Sequence, residues 1–233
     1  MAKSVLSVKR VEHKYFITPV QSLELSTRLA ASLHKDENNI EDGYEIKSLY
    51  FDTFDEKDYY LKEDGNFFHE KVRIRRYNEN YSYIKLENKR KYGDRQVKDS
   101  LLITADEAKM LCNRDFSFLI DKNDDVALNF YRLFSKGYRP VTIVKYKREA
   151  YYWPEKNIRI TIDKNPVFCE TNLDFFDSDL PYHNIFDVNT NILEVKYDGN
   201  LPDFIKNILG PLKATRTSVS KYAGGRRLLI NYL

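Results

Sequence analysis

Over much of this chain apolar and polar residues alternate with period two. Segments 7–17, 45–52, 67–77, 81–89, 95–103, 140–153, 157–163 and 192–197 carry that signature, which predicts about eight mostly antiparallel strands. Asn78-Glu79-Asn80 and Pro154-Glu155-Lys156 turn two successive pairs into hairpins, and the first strand stops at Pro19. Helical spacing takes over at 20–33, where Val20, Leu23, Leu29, Ala30 and Leu33 mark a surface helix. The polar segment 56–62 and stretches 104–111 and 125–134 read as further helices. Thr104 is the expected N-cap of one, with Glu107 at its capping-box position. Leu201-Pro202-Asp203 opens another helix, and a basic amphipathic helix closes the chain. The class is α+β.

The alternation also sorts charge onto one strand face. Arg73 and Arg75 lie opposite Val72 and Ile74, and Lys85, Glu87 and Lys89 oppose Ile84 and Leu86. Arg159, Thr161 and Asp163 oppose Ile158, Ile160 and Ile162; Glu194, Lys196 and Asp198 oppose Leu193, Val195 and Tyr197. Arg10, Glu12 and Lys14 form a fifth row. Such rows ordinarily face water. Here the amphipathic helices need an apolar sheet face to cover. If they pack outside a closed sheet, the charged rows point inward. Clustered Arg and Lys inside would repel and be costly to desolvate without an anion. A basic tunnel for a polyanion meets that requirement, with a divalent cation on the carboxylates.

Composition narrows the classes. The chain has 233 residues with no low-complexity linker, and is expected to form one domain, 1–233. Its 38 basic and 35 acidic residues leave a net charge of +3, so the placement of charge matters more than its sum. The start Met1-Ala2-Lys3-Ser4-Val5-Leu6 lacks the apolar run of a signal peptide, and no stretch reaches membrane-spanning length. Cys112 and Cys169 have no metal or disulfide spacing, so a reducing cytoplasm is expected. Phosphate-loop, dinucleotide, HExxH and GxSxG motifs are absent. The histidines (His13, His34, His69 and His183) are scattered. Tyr15, Tyr50, Tyr77 and Tyr151 are expected in strand packing, and the aromatics sit mostly away from the basic rows, which argues against nucleic acid.

The same rows carry a family resemblance. Arg10-Val11-Glu12-His13-Lys14-Tyr15, Ser48-Leu49-Tyr50-Phe51-Asp52-Thr53 and Lys71-Val72-Arg73-Ile74-Arg75-Arg76-Tyr77 resemble the polyphosphate polymerase (vacuolar transporter chaperone, VTC) domain. So do Leu86-Glu87-Asn88-Lys89, Lys147-Arg148-Glu149-Ala150-Tyr151, Arg159-Ile160-Thr161-Ile162-Asp163, Leu193-Glu194-Val195-Lys196 and Ser220-Lys221-Tyr222, in family order. The resemblance implies an eight-stranded antiparallel β-barrel tunnel with helices outside, that of the triphosphate tunnel metalloenzymes. It implies transfer of the γ-phosphate of ATP onto inorganic polyphosphate with Mn²⁺ or Mg²⁺. Relatives hydrolyse tripolyphosphate or nucleoside triphosphates, or cyclise ATP.

Carried over by motif, Lys14, Arg73, Arg75, Lys89, Arg148, Arg159 and Lys221 look like the catalytic lining that grips phosphate, with Lys98 resembling a further lysine. Arg10, Lys85 and Lys196 extend the phosphate-binding set; Glu194 looks like the metal ligand, with Glu12 beside it. The superfamily's ExExK motif has Arg10 at its first position here, which leans away from two-metal hydrolysis and toward the polymerase. The expected form is a free-standing catalytic domain. A metal-dependent tri(poly)phosphatase and a non-catalytic polyphosphate-binding domain are the alternatives.

Overall fold

A computed structural model describes residues 11–39, 42–93, 95–212 and 214–230, without the side chain of Leu229. Eight long strands are present: β1 (Val11–Ile17), β3 (Tyr44–Asp52), β4 (Phe68–Tyr77), β5 (Ile84–Tyr92), β6 (Arg95–Ile103), β7 (Arg139–Trp153), β8 (Ile158–Cys169) and β10 (Asn191–Tyr197). Two-residue strands β2 (His34–Lys35), β9 (His183–Asn184) and β11 (Arg216–Thr217) supplement them. The helices are α1 (Pro19–Ser32), α2 (Lys57–Glu63), α3 (Ala105–Cys112), α4 (Phe118–Asp121), α5 (Asp125–Phe134), α6 (Asp203–Leu209) and α7 (Lys221–Ile230).

All the strands join one antiparallel sheet in the order β11-β1-β10-β8-β7-β3-β4-β5-β6, with β2 on β7 and β9 on β8. Backbone pairing does not close it: among the described residues β6 and β11 remain the two ends. The barrel expected from the family therefore stands here as a curled open sheet. Its curl is strong, because Lys89 on β5 reaches to 3.4 Å from Glu12 on β1, near the opposite end of the order.

The two faces divide as the alternation predicts. On the outer face Leu49, Val72, Ile74, Ile84 and Leu86 lie buried against α3, α4 and α5 through Ala108, Leu119 and Phe130. Ile158, Ile160, Ile162, Leu193 and Val195 pack under Leu25 and Leu29 of α1 and Ile205 of α6. Each fully buried aliphatic or Phe side chain contributes about 1.5–3 kcal/mol, so this packing orients the sheet. The charged rows are left on the inner face.

Several local expectations change. Pro19 does not merely end a strand; it is the first residue of α1, where its missing N–H costs nothing, and Thr18 caps that helix with Gln21 in a capping box. Thr104 and Glu107 form the predicted box on α3. One-turn α4 is too short to show a period. The seventh strand runs on to Cys169 rather than stopping at Asp163, because a register shift at Lys145/Lys147 absorbs Asn165 (φ 48°) and Pro166. Helix α7 docks across one end of the inner face: Tyr222 stacks on Tyr50 with centroids 5.1 Å apart, and Arg226 is buried between Glu56 and Glu170. Gly224 permits this approach, since a Cβ there would lie 2.7 Å from Ile185.

Candidate active site

Period-two geometry brings the charged rows to one concave surface. Directly opposed residues share a face, and the register sets Lys71 beside Lys89, Lys89 beside Lys98, Arg73 beside Glu87 and Arg75 beside Lys85. Across the sheet Glu12 pairs with Lys196 and Lys14 with Glu194, while Lys196 opposes Arg159 and Asp163 opposes Arg148.

One group of cations is neutralised by buried carboxylates. Arg73 sets Nε and Nη2 each 2.8 Å from Glu87, which also meets Lys98. Burial would raise the Glu87 carboxyl, but Arg73, Arg75 and Lys98 outweigh it and hold it well below the carboxylate range. Arg148 forks onto Asp163 at 2.6 and 2.8 Å, and Lys221 of α7 reaches the same carboxylate. Asp163 is fully buried, yet these two cations lower its pKa to about 2. Glu194 sits 2.8 Å from Lys196 and 3.9 Å from Arg148; against burial, Lys196 and Lys14 hold it ionised. Glu12 takes Lys14 at 3.1 Å, Lys89 at 3.4 Å and Lys196 at 4.0 Å.

A second group hydrogen-bonds to neutral hydroxyls or is only partly neutralised. Lys71 donates to Ser220 Oγ at 2.9 Å; burial, Lys14, Lys89, Lys62 and Arg73 push its pKa far down. Arg75, nearly inaccessible, donates to Ser48 at 3.0 Å and Tyr146 at 3.2 Å, both neutral hydroxyls. Burial, with Lys196 and Lys14, lowers Lys89 to about 8 despite Glu12. Lys71 and Lys89 border a cavity of about 900 Å³ whose charged lining, among the described residues, comprises Lys14, Lys62, Lys71, Lys89, Lys91 and Arg216 with the carboxylate Glu12, and His69 is also present.

The predicted set is thus brought together with three exceptions. Arg10 lies outside the described residues. Arg159 shares the face, but its guanidinium turns to Asp36 at 2.8 Å and Tyr44 at 3.4 Å. Lys85 lies over the Tyr83 ring, 4.8 Å from its centroid. Lys71 and Asp163 were not assigned from sequence, although each extends a row already visible, one two residues before Arg73 and the other two after Thr161. Tyr50 does more than pack a strand, because its hydroxyl accepts from Arg73 at 3.1 Å. Tyr44, Tyr50 and Tyr146 do sit among the basic rows, contrary to the sequence reading, but their rings are buried. Among the described residues no group of three or more His, Cys, Asp or Glu is arranged to hold a metal ion. Glu12 and Glu194 do converge, sharing Lys196.

Similar folds occur in other proteins. A candidate adenylate cyclase from Bacillus halodurans superposes with TM-score 0.53 at 12% identity, covering 91% of this chain and 96% of that one. One from Vibrio parahaemolyticus gives TM-score 0.50 at 12% identity, over 92% and 96%. The Mediator head module of Schizosaccharomyces pombe contributes a chain with TM-score 0.51 at 8% identity, over 89% and 99%. At these identities the likeness is one of fold. The family comes from the sequence: residues 9–230 match the VTC domain, and the chain belongs to that family. Comparison with curated proteins yields no match. Among the described residues no helix is long and apolar enough to cross a membrane.

Proposed function

We propose that this chain transfers a phosphoryl group from ATP, or another nucleoside triphosphate, to inorganic polyphosphate, with Mn²⁺ or Mg²⁺, in a tunnel formed by the curled sheet, acting as one unit over residues 1–233. The observation that carries the reading is the pair Lys71 and Arg75: two cations on the inner face whose hydrogen bonds, among the described residues, go to hydroxyls, amid further lysines. Buried like charges in that arrangement call for an anionic ligand.

Phosphoryl transfer needs in-line positioning and stabilisation of charge on the non-bridging oxygens. Arg75 offers a fork to phosphate oxygens, and Lys14, Lys71, Lys89 and Lys196 act as point charges along the chain. Arg73, Arg148 and Lys221 are held in place by Glu87 and Asp163, so their geometry is preset before substrate arrives. A terminal phosphate oxygen of the acceptor attacks the γ-phosphorus, and the nucleoside diphosphate departs with the bridging oxygen. No serine, cysteine or histidine nucleophile is required.

Glu12 and Glu194 suit a hard cation that takes one or two carboxylates and completes its shell with substrate phosphate and water. Such an ion neutralises phosphate charge and makes the transferring group more electrophilic. Incubation of the pure protein with ATP and Mn²⁺, followed by gel staining for polyphosphate and assay of free phosphate, tests the reading. Growing chains are expected. Free phosphate alone would make it a hydrolase, a cyclic nucleotide would align it with the candidate cyclases sharing its fold, and no turnover with retained binding would leave a binding domain.

A further inference from the structure

The cationic cavity has an apolar feature that phosphate binding does not use. Phe67, in the turn before β4, lines it and is 73% exposed. Covering such a ring would be favourable, so a largely exposed phenylalanine at a cavity mouth is available to an aromatic or apolar ligand group. Its backbone is tied to the β5–β6 turn. The Gly93 N–H donates to the Phe67 carbonyl at 2.8 Å, and the ring lies over Gly93, where a Cβ would fall 2.4 Å from it. Gly93 also has φ 55°, the left-handed region glycine tolerates. Lys62 and Lys91 share the cavity lining with the ring, and Lys71 and Lys89 continue into the trough.

Another cavity, about 680 Å³ and lined by the start of β3 and the middle of β7, contrasts with this one. Its aromatics Tyr44 and Tyr146 are buried and Tyr182 lies under Lys145, while Lys147 pairs with Asp42. An exposed ring beside a graded series of lysines is found at the Phe67 end.

We infer that Phe67 is the stacking platform for the base of a nucleoside triphosphate, so that the donor nucleotide enters at this mouth with its phosphates running inward past Lys91, Lys89 and Lys71. This rests on the proposed triphosphate site and adds its polarity and a determinant of its substrate. Stacking of this kind tolerates any base, because every base has a π face. The site would then accept purine and pyrimidine triphosphates while preferring nucleotides to inorganic tripolyphosphate.

Titration calorimetry with ATP and with inorganic tripolyphosphate separates the two readings. Phe67→Ala should weaken ATP binding by about 5- to 150-fold, the worth of one base–aromatic stack, and leave tripolyphosphate affinity unchanged. Phe67→Trp should restore ATP binding. Equal loss for both ligands would mean that Phe67 only shapes the cavity, and unchanged ATP affinity would remove the stack; either overturns the inference while the triphosphate site stands. If the unaltered protein binds ATP but not tripolyphosphate, or neither, the triphosphate site itself falls, and the inference with it.

Discussion

Asp163 and Lys71 lie on the same inner face of one sheet, yet their surroundings are opposite. Asp163 is fully buried and receives two cations, Arg148 and Lys221. Lys71 has Ser220 as its hydrogen-bond partner and is crowded by Lys14, Lys89 and Lys62. Charge was balanced in the first region during folding and left unbalanced in the second. The first region holds the inner face and α7 together. The second stores repulsion that an anion relieves, which is what distinguishes a ligand site from a structural ion network.

Neutralising Asp163 attacks the balanced region and should have the largest effect. Asp163→Asn leaves Arg148 and Lys221 buried without their carboxylate, and stability in urea should fall by about 3–5 kcal/mol. A loss below about 1 kcal/mol would mean that the network does not hold the fold.

Glu194 stands between the two regions, paired with Lys196 yet converging on Glu12. Glu194→Gln keeps the shape but removes the charge a hard cation requires. Metal-dependent turnover should collapse, by an effect worth several kcal/mol in the barrier, while tripolyphosphate binding persists. Near-normal turnover at limiting Mn²⁺, together with lowered thermal stability, would make Glu194 a structural partner of lysine alone.

Arg75 lies at the border of the two regions, with its hydrogen bonds going to hydroxyls while Glu87 acts on it from the balanced side. Arg75→Ala should weaken tripolyphosphate binding by about 1.5–3 kcal/mol, the range for hydrogen bonds to charged groups, with little loss of stability. Unchanged affinity in calorimetry would take it out of the site.

The smallest effect is the pH dependence of Lys89, whose pKa lies near 8 against an ordinary value of 10.5. Its protonated form is disfavoured in the folded protein, so the cost is full below pH 8. Between about pH 8 and 10.5 the unfolded chain binds more protons, and this residue makes stability rise with pH. A bound polyanion reverses that preference and restores the proton. Binding of tripolyphosphate at pH 9 should therefore take up protons, read from calorimetry in two buffers of different ionisation enthalpy. Identical heats in both would show Lys89 already charged or remote from the ligand.

Much of this arrangement was legible in the residue pattern. Val72, Ile74, Ile158, Ile160 and Ile162 announced the face that the helices cover, and the alternation placed Arg73, Arg75, Glu87, Lys89 and Glu194 together on the other. The Thr104–Glu107 cap and the reach of α5 were equally readable, because capping and helical spacing are local. One-turn α4 and the continuation of β8 through Asn165 and Pro166 were not, since a single turn has no period and a bulge breaks one.

Sequence alone determined which face each charged residue would occupy, because side-chain direction in a strand follows from position with period two. The tertiary structure decided which charge meets which. Glu12 meets Lys89 across 77 positions, Lys221 meets Asp163 across 58, and Lys71 meets Ser220 across 149. Those meetings depend on how far the sheet curls and where α7 docks, and both follow from packing over the whole outer face and the inner end. An ion pair is a matter of a few ångströms between distant segments, which alternation along one strand does not encode. That is why a row of like cations could be read from the chain, while the difference between a neutralised arginine and an unneutralised lysine awaited the fold.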